Sequence, residues 1–423
     1  MVGLGGKRLL KIALVLGTLL ILIVPAAPGV NSHDATKTPF HDCIAANITL
    51  PFQLTNGPLV YDPVNDNAYI GAFEKVYAYS ISSRSIVREI PEDQDLPADI
   101  VLDPFNDHVF LTGDPFHDNV TVIDGTTNQI IANVTVGGDV LAMAFDPANG
   151  KLYFAGYGTT ATGFPFSDNY VTVLDAATDQ IVGAVRVSNA SGEALSIAVD
   201  PGAGLLYVGS AVNDVFSQSD GNVTVISTAT DSIVRVVPVG INPFALSVDT
   251  SRHVVYVANS ESNNVSVISG PSESVVASIP IPGVNAGQSE EGIIADTPVG
   301  QVITQAVSAN NQGTLFFLNA SNSDLLGNLS LPPYRWTSGL SFDPSTGTVY
   351  ATGPPFQLYT IYPDGGCPVP TSSTATAFPW YWVAFSVVAV VAAAIVVSFI
   401  FSRQRRKQGN SPSPRNSPPP PGT

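Results

Sequence analysis

Cysteine, histidine and charge are all scarce in this 423-residue chain, and each scarcity removes a class of function. There are two cysteines, too few and too far apart for a CxxC redox pair or a thiolate metal cluster. The five histidines, His33, His41, His108, His117 and His253, form no HxH, HExxH or CxxCH pattern, which excludes zinc-protease and c-haem readings. No GxSxG elbow and no phosphate-binding glycine loop occurs. Only 12% of residues are charged, and the bases are fewest where the acids are most abundant. All 34 carboxylates lie between Asp34 and Asp364 beside nine of the 17 bases, so this region carries −25. Such a surface repels phosphate backbones and argues against a nucleic-acid partner.

The remaining bases flank two long apolar runs. Lys7, Arg8 and Lys11 lead into LLKIALVLGTLLILIV and then PAAPG, the layout of a secretory signal over residues 1–27 with cleavage after Ala26 or Ala27; an uncleaved signal anchor is the alternative. Residues 28–42 read as a linker. Residues 381–401 hold no charge over 21 positions, enough for a helix to cross a ~30 Å hydrocarbon core. Trp380, Tyr381 and Trp382 supply an aromatic belt at one end of a 380–402 span, and Arg403, Arg405, Arg406 and Lys407 supply a basic cluster at the other. This asymmetry places the 403–423 tail in the cytoplasm and everything before the span outside the cell. Residues 368–379, PVPTSSTATAFP, read as a proline-stiffened stalk, and the Pro- and Ser-rich tail lacks the means to build a core.

Between these ends, residues 43–367 repeat. A short apolar strand ends on Asp62, Asp103, Asp146, Asp200, Asp249, Asp296 and Asp343, at spacings of 41, 43, 54, 49, 47 and 47 residues. A second apolar run starts five residues after each aspartate, a third such as NVTVID (119–124) or NVSVIS (264–269) follows in most units, and a fourth such as QIIANVTVG closes the unit. Four alternating strands per unit at this period predict an all-β, seven-bladed β-propeller with four-stranded blades. The terminal signal or anchor helix and the single C-terminal membrane helix are additional to it. The seventh unit lacks a fourth strand, whereas CIAANITLPF (43–52) is a spare one ahead of the first. Pairing it into blade seven closes the ring and removes the open edge. That closure also brings Cys43 toward Cys367. Outside the cytoplasm the pair is expected to be oxidised, which stabilises by ~4–5 kcal/mol in the chain-entropy model; two unpaired buried thiols are the alternative.

The run YVANSESNNVSVI (256–268) resembles the YVTN-type β-propeller repeat of archaeal surface-layer proteins and bacterial secreted proteins: Tyr256, Val257 and Asn259 match, and Ala258 stands where threonine is usual. Weaker copies begin at Tyr207 and Tyr153, and the unit containing QVITQAVSANNQGTLFFL departs most from the pattern. The resemblance implies an architecture, not an activity.

The repeated Asp-Pro pairs are type I turn sequences rather than a ring of catalytic carboxylates. Functional candidates fall instead on the opposite face, where the loops entering the first strands and those joining strands two and three emerge together. There Asp139, Glu193, Glu290 and Glu291, with Asp95 and Asp99, precede inner strands, and the enlarged loops of blades two to four carry Phe116, Phe164, Phe166 and Phe216 close to aspartates. An acidic channel mouth beside aromatic loops suits a cation, a glycan or a cationic partner; packing of the phenylalanines onto neighbouring loops is the bland alternative. Eight N-x-S/T sequons, at Asn47, Asn119, Asn133, Asn189, Asn222, Asn264, Asn319 and Asn328, mark candidate glycosylation sites, although NVTVI is also simply a strand motif. The expectation is a membrane-anchored envelope protein that binds surface proteins or glycans without a cofactor. An extracellular lactonase- or lyase-like propeller enzyme, using Asp139, Glu193 or Glu290 with a divalent metal at the channel mouth, is the alternative.

Overall fold

A computed structural model describes residues 44–362, apart from 53, 55–56, 93–96, 114–118, 159–168, 189–193, 212–219, 283–291, 296–297, 308–312, 332–338 and 354–356. The expected signal, stalk, membrane span and tail, and both cysteines, lie outside the described residues. Among the described residues no helix is long and apolar enough to cross a membrane.

Seven four-stranded antiparallel sheets form the blades of a propeller. In blades one to six the four strands follow in chain order; blade one, for example, runs Leu59–Asp62, Asn67–Ala72, Lys75–Ser80 and Ser85–Pro91. Blade seven takes its three inner strands from Leu340–Phe342, Val349–Gly353 and Gln357–Ile361 and its outermost from Ile44–Thr49 at the other end of the chain. Ile44 pairs with Ile361 and Thr49 with Gln357, so the ring closes with strands from both ends, as the spare first strand predicts. The divergent sixth unit also forms a complete four-stranded blade.

The core lies between blades rather than within one. Tyr207, Val223 and Val225 of blade four pack on Leu246, Val255 and Val257 of blade five, and similar clusters join the other adjacent blades described. Second and third strands are thereby covered on both faces, which is why NAYIGA is buried throughout and reads as a continuous apolar run.

The turn between strands one and two sets the register seven times over. Each described repeat aspartate is buried, and its Oδ1 accepts main-chain N–H groups two or three residues on, as from Val64 to Asp62 at 2.8 Å and from Ser345 to Asp343 at 2.8 Å. The fourth residue after the aspartate adopts positive φ in all seven blades: Asp66, Asp107, Gly150, Gly204, His253, Gly300 and Gly347, between 54° and 72°. Asp and Gly suit this left-handed position best, and four of the seven are glycine.

A feature the repeat pattern does not announce is a β-bulge at one position of every outermost strand. In blade one Ala78 pairs with Arg88 but Tyr79 with Ile86, leaving Val87 as the extra residue. Ile131, Val182, Val234, Val276 and Leu326 are the extra residues of blades two to six, and Ala45 of blade seven. From Leu326 at 39% to Val276 at 60%, the six larger ones are well exposed. A bulge kinks the strand and breaks its row of free N–H and C=O groups, which discourages edge-to-edge pairing with another molecule.

Candidate functional site

The innermost strands of all seven blades surround an axial channel holding a cavity of about 330 Å³. Its wall is mainly aliphatic and includes Ile100, Met143, Ile197, Leu246, Ile294 and Leu340. Ile100, Met143, Ile197 and Leu246 also belong to the clusters between blades, so the wall is the inner margin of the inter-blade core.

Polar groups of the innermost strands, Asp99 and Ser341 of the wall among them, join neighbouring blades. Asp99 is buried; its Oδ1 accepts the Ile100 N–H at 2.7 Å and its Oδ2 the Met143 N–H of blade three at 2.5 Å. Ser341 Oγ accepts the Tyr61 N–H across the closing seam at 3.0 Å, and Ser247 Oγ accepts the Ala295 N–H between blades five and six at 2.9 Å. Ser196 Oγ donates to the Pro243 carbonyl at 2.8 Å between blades four and five. Asp99, one of the carboxylates expected at the channel mouth, is thus an inter-blade clamp. Two main-chain donors satisfy a carboxylate that burial alone would destabilise.

Two further ties lie toward the face of the Asp-Pro turns, made by tyrosines seven residues after the repeat aspartates. Tyr256 Oη donates to the Ala320 carbonyl in the outer turn of the next blade at 3.0 Å. Tyr69 reaches the equivalent Gly125 carbonyl at 3.1 Å and Asn128 Oδ1 at 2.8 Å. Tyr153 and Tyr207 occupy the same position, but the Tyr207 hydroxyl is buried without a hydrogen-bond partner among the described residues. Burial pushes the phenols of Tyr153 and Tyr256 up to about 12, and raises those of Tyr69, Tyr207 and Tyr350 as well. Asp249 is driven upward by burial but held below the usual carboxylate range by bonds from Ser251 and Arg252 and by the Arg252 charge. Between blades, Lys151 pairs with Asp231 at 2.8 Å and His253 Nδ1 with Asp200 at 2.7 Å.

The candidates drawn from the sequence are distributed differently. Asp139 lies within the innermost strand Gly138–Asp146, its backbone paired with Tyr157, rather than in a loop ahead of that strand. Glu193, Glu290, Glu291, Phe116, Phe164, Phe166 and Phe216 lie outside the described residues. The strands flanking the enlarged loops, ending at Thr112, Gly158 and Ser210, all finish on the face opposite the Asp-Pro turns. Among the described residues no group of three or more His, Cys, Asp and Glu side chains comes together to hold a metal. The clamp at Asp99 and the tyrosine ties are the polar features that motif reasoning passes over. The tyrosines had a visible signal in their constant offset from the aspartate, whereas Asp99 had none beyond its sign of charge. Comparison of the chain with protein-family models and with curated proteins finds no match to either.

Proposed function

We propose that this chain is an envelope protein of the YVTN-type propeller repeat family, anchored in the cell membrane by residues 380–402 with its propeller outside, and that it binds a surface protein or glycan without performing catalysis. One observation carries the reading. The last strand taken from the C-terminal side ends at Ile361 and the first from the N-terminal side begins at Ile44, and these two residues pair. Both flanking segments therefore leave from the face of the Asp-Pro turns. An apolar segment beginning twenty residues after Ile361 turns that face toward the bilayer and the opposite face, with the enlarged loops and the channel mouth, toward the surroundings. The pairing also favours the disulfide, because Cys43 directly precedes Ile44 and Cys367 follows Ile361 by six residues.

Protease added to intact cells should digest the propeller and leave an epitope placed after Thr423 protected. Digestion of the epitope together with protection of the propeller would overturn the orientation. For binding, crosslinking on native envelopes should recover a surface component in wild type and lose it when Phe116, Phe164, Phe166 and Phe216 are all changed to serine. Undiminished recovery would exclude those loops as the binding face.

A further inference from the structure

Seven of the eight sequons fall on described residues, and the fold treats them unequally. Asn119, Asn222 and Asn264 lie at or near the start of third strands, and the hydroxyl two residues on is buried: Thr121 at 0% exposure, Thr224 at 2% and Ser266 at 3%. Asn264 is engaged at both ends of its amide, Nδ2 donating to Ser278 Oγ at 2.8 Å and Oδ1 accepting from Asn259 Nδ2 at 2.9 Å. In blade two the NVT of 119–121 lies opposite the NVT of 133–135 and the two bond reciprocally. Thr135 Oγ1 is 3.0 Å from Asn119 Oδ1, and Thr121 Oγ1 is 2.9 Å from Asn133 Oδ1. Asn319 caps its own turn, with Oδ1 accepting from the Ser321 N–H at 2.8 Å and hydroxyl at 2.6 Å.

Asn47 and Asn328 are different. Both are exposed, neither side chain makes a hydrogen bond among the described residues, and the hydroxyls of their sequons, Thr49 and Ser330, are exposed too. They hold the same place in the fold, on the outermost strands of adjacent blades seven and six, two residues beyond the bulge; Asn133 of blade two shares that place and its exposure, and differs in that its Oδ1 accepts the Thr121 hydroxyl. In an extended strand residues i and i+2 share a face, so each asparagine and its hydroxyl residue face solvent together. A glycan replaces one proton on Nδ2 and adds a bulky polar group that needs open solvent.

We infer that Asn47 and Asn328 are N-glycan acceptors, forming a carbohydrate patch on the outer rim of blades six and seven, and that Asn119, Asn133, Asn222, Asn264 and Asn319, each with its amide hydrogen-bonded or its sequon hydroxyl buried, are not. The inference rests on the extracytoplasmic placement of the propeller. To test it independently of that placement, a cleavable secretory leader from an N-glycosylating eukaryotic host is set before the full chain. The folded, monodisperse fraction is then mapped by glycopeptide mass spectrometry with and without peptide N-glycosidase. Glycans are expected at both positions. Asn47→Gln and Asn328→Gln should each lose one, the double variant both, and Thr49→Ala or Ser330→Ala the corresponding one although the asparagine remains. A folded fraction empty at either position, or carrying a glycan on any of the other five, overturns the assignment. Failure of the chain to enter host microsomes without the added leader would count against the export reading while leaving the site assignment intact.

Discussion

Tyr256 and Tyr207 offer a matched test of what holds neighbouring blades together. They occupy the same place in blades five and four, both rings are fully buried, and they differ in the hydroxyl: Tyr256 donates to the Ala320 carbonyl at 3.0 Å, whereas Tyr207 has no partner among the described residues. Changing either to phenylalanine keeps the ring and removes one oxygen. In Tyr256→Phe the Ala320 carbonyl loses its side-chain donor inside the protein, which costs about 1–3 kcal/mol. In Tyr207→Phe an unsatisfied buried hydroxyl disappears; since burying such a group costs about 1–3 kcal/mol in proteins, the variant should be neutral or more stable by up to about 1 kcal/mol. The expected gap is therefore about 2 kcal/mol between two chemically identical substitutions. Urea unfolding followed by near- and far-ultraviolet circular dichroism measures it, given coincident transitions and an unchanged slope. Equal losses in the two variants would refute the argument, because ring packing rather than the hydroxyl bond would then be the common cause.

Three further outcomes follow from the same geometry. The folded-state phenols of Tyr69, Tyr153, Tyr207, Tyr256 and Tyr350 are raised above their unfolded value near 10, so their contribution is complete below pH 10 and is lost as pH rises through the folded values, which are about 12 for Tyr153 and Tyr256. In that window stability should fall by about 1.4 kcal/mol per pH unit for each tyrosine, and Tyr153→Phe should lower the measured slope by one proton; an unchanged slope would contradict it. Arg252→Ala removes a 2.6 Å bond to the buried Asp249. As the arginine is itself 42% exposed, the loss at pH 7 should be about 1 kcal/mol. Asp249 is depressed when folded, so this difference should shrink as pH falls below the ordinary carboxylate range, which denaturation at pH 7 and pH 3 would show. Deleting residues 44–49 strips the outermost strand from blade seven and opens the edge of Gln357–Ile361, whose Leu358 and Tyr359 are otherwise buried. The variant should lose its cooperative transition and associate on size-exclusion chromatography; a monomer with wild-type stability would show that the seam does not need that strand.

What could be read from the sequence was whatever the backbone demands locally. An aspartate that caps a turn and a residue of positive φ four positions later are short-range requirements, so the seven turns, and with them the blade count, are visible at Asp62, Asp103 and their successors. The closing strand is visible for the complementary reason that one unit lacks a strand and CIAANITLPF has no unit of its own. Bulges are not visible, because they belong to the pairing of two strands. Consecutive Ile86 and Val87 read as an ordinary buried run, yet Val87 is the extra residue and stands half exposed. Nor can sequons be sorted by pattern: NVT at 119–121 buries its threonine and NVT at 133–135 exposes it, from identical residues. The difference is strand position within the blade, since third strands are enclosed by both neighbouring blades and fourth strands face solvent.

The sixth unit shows which of these demands is the stronger. At the position of the inter-blade tyrosine it carries Ile303, which has no hydroxyl to tie to blade seven, and its innermost strand shortens to Ile293–Ile294. Nevertheless Gly300 keeps the positive φ of 67°, Gln301–Val307 pairs in unbroken register with Gly313–Asn319, and the outer bulge recurs at Leu326. If side-chain ties fixed the blade, losing the tyrosine should have shifted the register, and a one-residue slip would turn buried Val302 and Thr304 to the opposite face. The register holds because turn geometry and burial on both faces specify it independently of the tie. Tyrosine at this position therefore adds stability to a blade whose conformation is already determined, which is why its loss is expected to lower the unfolding free energy without altering the fold.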